Sequence, residues 1–111
     1  MSTRARIGVQ LATGEIKSIY VWRDGNPDTL GTTLNEYYAT PEKAAALVER
    51  GNLIDVEQTL RRCTFERPEE GYDNNPWLHK TFAAYLRERE CDIRCKYIYR
   101  DGAWSYWEIG A

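Results

Sequence analysis

The chain has 111 residues, enough for one small domain spanning 1–111. Apolar residues make up 42% and charged residues 29%, which excludes a disordered chain. With 15 basic and 17 acidic residues the net charge is −2, whereas proteins that coat nucleic acid are far more basic. No apolar run approaches the ~20 residues of a membrane span. The opening MSTRARIGVQ has no apolar core of a secretory signal. Together with the odd set Cys63, Cys91 and Cys95, this leads us to expect a reducing cytoplasm. One feature stands out: four Trp, eight Tyr and two Phe.

Residues 4–11 alternate, with Ala5, Ile7, Val9 and Leu11 on one side and Arg4, Arg6, Gly8 and Gln10 on the other. Residues 16–22 (IKSIYVW) are β-branched and aromatic, and the Gly14 turn joins the two strands as a hairpin. Turn chemistry fills Asp24, Gly25, Asn26 and Pro27, with Gly25 expected to supply a positive φ. Leu30, Leu34, Tyr37 and Tyr38 predict a helix over 28–38. Thr40-Pro41 opens a second helix over 41–50, and Gly51 closes it. Residues 55–62 read as a short helix or as extended chain. The polar stretch 66–75 is a loop. Asn75-Pro76 then resembles a helix start, predicting a helix over 76–89. CDIRCKYIY is a strand, Asp101-Gly102 a hairpin turn, and 103–109 the last strand.

The expected fold is therefore α+β. Two terminal hairpins form a four-stranded antiparallel sheet, with three to four helices between them packed on one face. Tyr97, Tyr99 and Trp107 are expected on the inner side of that sheet.

At residues 19–51 the pattern Ile19-Tyr20, Asp24-Gly25-x-Pro27, Gly31, Leu34, Tyr38, then Thr40-Pro41 and Gly51-Asn52-Leu53 resembles a family of small uncharacterised phage and prophage proteins. The Asp101-Gly102 turn extends the likeness. That family reads S-[IV]-Y-x-H-W-D-G-Y-P here; its His falls at Trp22, its Trp at Arg23 and its second Tyr at Asn26. Any chemistry served by that His is absent from this chain. The resemblance implies a phage or prophage origin and the host cytoplasm, and implies no activity.

Motifs for catalysis are missing. The chain has a single histidine, His79, and lacks G-x-S-x-G, H-E-x-x-H and a phosphate-cradling glycine loop. Cys63, Cys91, Cys95 and His79 have the composition of a zinc site, but i and i+4 on a strand lie ~13 Å apart at ~3.3 Å per residue. No metal or other cofactor is expected. Glu66, Glu69, Glu70 and Asp73 read as a solvated acidic loop.

The outer sheet face is more informative. It is expected to carry Arg4, Arg6, Tyr20, Trp22, Arg94, Lys96, Trp104 and Tyr106, with Arg23 and Asn26 on a rim beside the turn. Such a face fits a protein interface, where Tyr, Trp and Arg are favoured anchors. It also fits a nucleotide or single-stranded RNA platform. A third reading is a solvated face of cross-strand pairs. The first makes the chain a non-enzymatic module that binds a host or phage protein, in host takeover or counter-defence. An enzyme of unknown type is a lesser alternative. Unpaired edge strands make a homodimer a further expectation.

Overall fold

A computed structural model of the chain describes residues 3–65, 75–88 and 92–109. The two hairpins form as expected. Strand β1 (Arg4–Gln10) pairs antiparallel with β2 (Ile16–Val21), and β6 (Ile93–Arg100) pairs antiparallel with β7 (Ala103–Glu108). Asp101 and Gly102 both have positive φ, the geometry a two-residue hairpin turn needs.

The sheet they build is not the antiparallel one. β1 and β6 lie side by side in parallel, from Arg4 opposite Ile93 to Val9 opposite Tyr99. Strands β3 (Leu53–Asp55), β4 (Thr64–Phe65) and β5 (Trp77–His79) complete a seven-stranded mixed sheet in the order β4-β3-β2-β1-β6-β7. β5 shares the outer edge of β2 with β3: it pairs at Ile16–Ser18, and β3 pairs at Val21. At the gap between them the Tyr20 amide donates to Asn52 Oδ1 at 2.9 Å.

The parallel junction has a physical cause. Parallel strands need cover on both faces, and residues 5–9 of β1 and 95–99 of β6 are buried whichever way they point. The helices therefore divide between two layers rather than gathering on one. α1 (Thr32–Tyr37) and α2 (Pro41–Glu49) cover one face, over Ile7, Val9, Ile19, Val21, Tyr97 and Tyr99. α3 (Phe82–Arg87) covers the other, with Tyr85 against Ile16 and Ile98.

Several predicted helices change. Residues 28–38 begin as a π-turn (Pro27–Gly31) before α1. Residues 55–62 hold the end of β3 and a 3₁₀ turn (Leu60–Arg62). The helix expected over 76–89 splits, because Trp77–His79 joins the sheet and Thr81, whose Oγ1 accepts from Ala84 N at 3.0 Å, is the true N-cap. Thr40 does cap α2, accepting from Lys43 N at 3.2 Å. At the second turn Asp24, not Gly25, carries the positive φ. Gly25 is needed for space: a β-carbon there would lie 2.7 Å from Ala5 Cβ and 2.9 Å from Thr3 O. The acidic residues at 66, 69, 70 and 73 and Cys91 lie outside the described residues.

Candidate functional site

The α3 side of the sheet carries the densest chemistry. In antiparallel pairs, residues directly opposite share a face. Arg6 therefore lies beside Tyr20, and Ser18 beside Trp77. The Arg6 guanidinium sits 4.0 Å from the Trp77 ring centre and 5.9 Å from that of Tyr20. Arg4 lies 5.0 Å from the Trp22 ring centre, and Tyr20 and Trp22 meet edge to face at 5.0 Å. The Tyr20 hydroxyl donates to Asp92, whose carboxylate also lies 3.5 Å from Arg4 Nη1. Arg4, Arg6, Tyr20 and Trp22, grouped on the sequence alone, are thus one interlocked cluster. Trp77 completes it and is 50% exposed.

Beneath the cluster lies a polar relay. Arg6 Nη1 donates to Ser18 Oγ at 3.2 Å. Ser18 Oγ lies 2.7 Å from His79 Nε2. His79 Nδ1 lies 3.0 Å from a Glu88 carboxylate oxygen, without the alignment of a hydrogen bond. Serine, histidine and carboxylate follow the order of a nucleophilic relay. Access is the obstacle: Ser18 is 0% exposed on a mid-sheet strand. The geometry instead ties β5 and α3 to β2.

The remaining expected site residues separate. Lys96 is 1% exposed, and its ammonium donates to the backbone carbonyls of Tyr85 and Glu88. It caps the end of α3, where carbonyls lack helical partners, rather than facing a ligand. Arg94 is exposed, at the step in register where β6 meets the start of β1. Arg23 lies 3.9 Å from Asp55, and its amide donates to Ile54 O, so it serves the β3 side. Asn26 caps the π-turn with its carbonyl, accepting from Thr29 and Leu30. Trp104 and Tyr106 lie on the opposite face: Trp104 is buried and donates to Tyr38 O at 2.9 Å, while Tyr106 stands beside Tyr97. Trp107, expected inside with Tyr97, packs on the α3 side against Phe82. The two-residue Asp101-Gly102 turn was the available signal. It forces Tyr99 opposite Trp104 and Tyr97 opposite Tyr106, so those four share a face.

Cys63 and Cys95 belong to the α1–α2 side, away from His79. Cys63 Sγ takes part in a local network with Glu57 N and the Tyr38 hydroxyl. Burial, with the neighbouring Glu108 charge adding to it, pushes the Cys95 thiol up and holds it protonated. No cluster of three or more His, Cys, Asp or Glu suited to a metal occurs among the described residues. A groove of about 320 Å³ lies between α2 and the 58–60 segment, lined by Tyr37, Tyr38, Glu42, Lys43, Ala46 and Leu60. No helix among the described residues is long and apolar enough to cross a membrane.

Comparison with protein-family models, with curated proteins and with solved structures found no match to this chain.

Proposed function

We propose that this chain is a non-enzymatic binding module that docks a protein partner on the Arg4–Trp22–Tyr20–Arg6–Trp77 cluster. The observation that carries this reading is the half-exposed Trp77 indole over the buried Arg6 guanidinium. Arginine and tryptophan at a rigid, partly desolvated position are the chemistry of interface hot spots. Partly exposed Arg4, shared between Trp22 and Asp92, extends the cationic side of the cluster. The partner that fits is a protein segment presenting carboxylates beside an apolar side chain. The phage-type turn motif supports a host or phage protein in the host cytoplasm, in host takeover or counter-defence.

A nucleotide or single-stranded RNA could also stack on Trp77. It fits less well, because Lys96 is committed to the end of α3 and Arg6 to Ser18 and two rings. The test is affinity capture from host lysate with the wild type and Trp77→Ala, beside melting curves with a nucleotide panel. We expect a stoichiometric protein that the wild type retains and Trp77→Ala loses. No Trp77-dependent partner, or a nucleotide-induced rise in melting temperature, overturns the proposal.

A further inference from the structure

We infer that two copies of this chain associate by pairing β7 antiparallel with itself, centred on Tyr106. The two ends of the sheet differ in a way that bears on this. Among the described residues, β3, β4 and β5 at one end have three, two and three residues, and the β3–β4 register shifts between Leu53 and Asp55. Short, irregular edges resist pairing with another chain. At the other end β7 runs six residues in unbroken register against β6. It contains no proline and no lysine, the residues that commonly blunt an edge.

The hydrogen-bond pattern selects the register. The Ile109 amide donates to Arg94 O at 2.7 Å, and antiparallel bonding alternates along a strand. Ala103, Ser105 and Trp107 are therefore the β7 residues bonded to β6. The amides and carbonyls of Trp104, Tyr106 and Glu108 point away from the sheet. When Tyr106 faces Tyr106 of the second copy, Trp104 faces Glu108 and Glu108 faces Trp104. All three outward residues then pair, giving about six backbone hydrogen bonds. The register that slides to oppose Trp104 with Tyr106 would need the turn residue Gly102 as the third partner, and so pairs fewer groups.

Side chains agree with this arrangement. Tyr106 is 48% exposed, and its ring lies 5.8 Å from that of Tyr97. Pairing would continue the tyrosine row across the junction. Like charges do not meet, because Glu108 faces a tryptophan. This surface lies across the sheet from β5 and Trp77, so it is independent of the partner-docking cluster.

Sedimentation equilibrium of the full chain over a wide concentration range tests the inference. We expect a reversible monomer–dimer equilibrium. Tyr106→Pro deletes one outward amide while leaving the β6 bonds intact, and should leave only monomer. If that variant does not fold, Tyr106→Lys should weaken association about tenfold or more. Trp77→Ala should dimerise like the wild type. In an antiparallel bonded pair the two residue-106 α-carbons stand ~5.5 Å apart, within disulfide reach. Tyr106→Cys should therefore oxidise to a covalent dimer linked at residue 106. A wild type that stays monomeric, a folded Tyr106→Pro or Tyr106→Lys that associates as tightly as the wild type, or a dimer that Tyr106→Cys fails to link overturns it.

Discussion

The phenol of Tyr85 occupies the space that a side chain at residue 8 would need. A β-carbon on Gly8 would lie 3.1 Å from Tyr85 Cζ and 2.8 Å from Ile16 Cγ2. The bare backbone lets the Tyr85 hydroxyl reach Tyr97 O at 2.8 Å, a hydrogen bond made against the sheet itself. Gly8→Ala should destabilise the protein by about 1–3 kcal/mol, the usual cost of overpacking. Urea denaturation measures this directly. An unchanged midpoint would mean that α3 does not sit on β1 as described.

Ser18 and His79 hold β5 against β2, and their burial argues against nucleophilic use. A fluorophosphonate probe should leave the folded wild type unlabelled. Ser18→Ala should cost about 1–3 kcal/mol, since it strips a partner from buried Arg6 and His79 together. Labelling at Ser18, read by peptide mass spectrometry, would refute the non-enzymatic reading.

Lys96 offers a separate test of the α3 layer. Lys96→Met keeps the stem and removes both bonds to helix-end carbonyls. Charged hydrogen bonds carry about 1.5–3 kcal/mol each, so a loss of at least 2 kcal/mol is expected. Amide exchange should accelerate first within Phe82–Arg87, the residues of α3. Faster exchange confined to α1 would contradict the assignment.

Alkaline pH should weaken the fold. Burial raises the Tyr38 and Tyr97 hydroxyls well above their ordinary value, with Cys63 and Cys95 respectively adding to the effect. A raised pKa in the folded state means that the folded state holds its proton longer. Stability is then full below the unfolded value near 10 and falls as pH rises through it toward the folded one. The urea midpoint should drop above about pH 10, and Tyr97→Phe should flatten part of that drop. Identical alkaline slopes in the two proteins would remove Tyr97 as a cause.

Much of the local structure was legible in the sequence. Alternation in residues 4–11 and the Asp101-Gly102 turn revealed both hairpins, because period two and turn chemistry are local signals. Thr40-Pro41 and Gly51 marked α2 for the same reason. How the hairpins meet was not legible, since parallel pairing of β1 with β6 depends on a second helical layer that only tertiary packing reveals. Leu78, Phe82, Tyr85 and Leu86 keep helical spacing even though Trp77–His79 is a strand, so periodicity there supported the wrong element. Lys96 was placed on the right face. Its role was missed because a sequence does not show which helix end will arrive above it. The place of Trp77 was missed because it depends on pairing with Ser18, far away along the chain.

The outer edge of β2 is divided between two partner strands. β5 grips its first half and β3 its second, and between them the Asn52 side chain accepts from the Tyr20 amide. Two separate stretches of chain thus hold one strand. The two grips are separate pairings, so a substitution that removes one leaves the residues of the other in register. The Asn52 carboxamide satisfies the Tyr20 amide at the place where one partner strand gives way to the other.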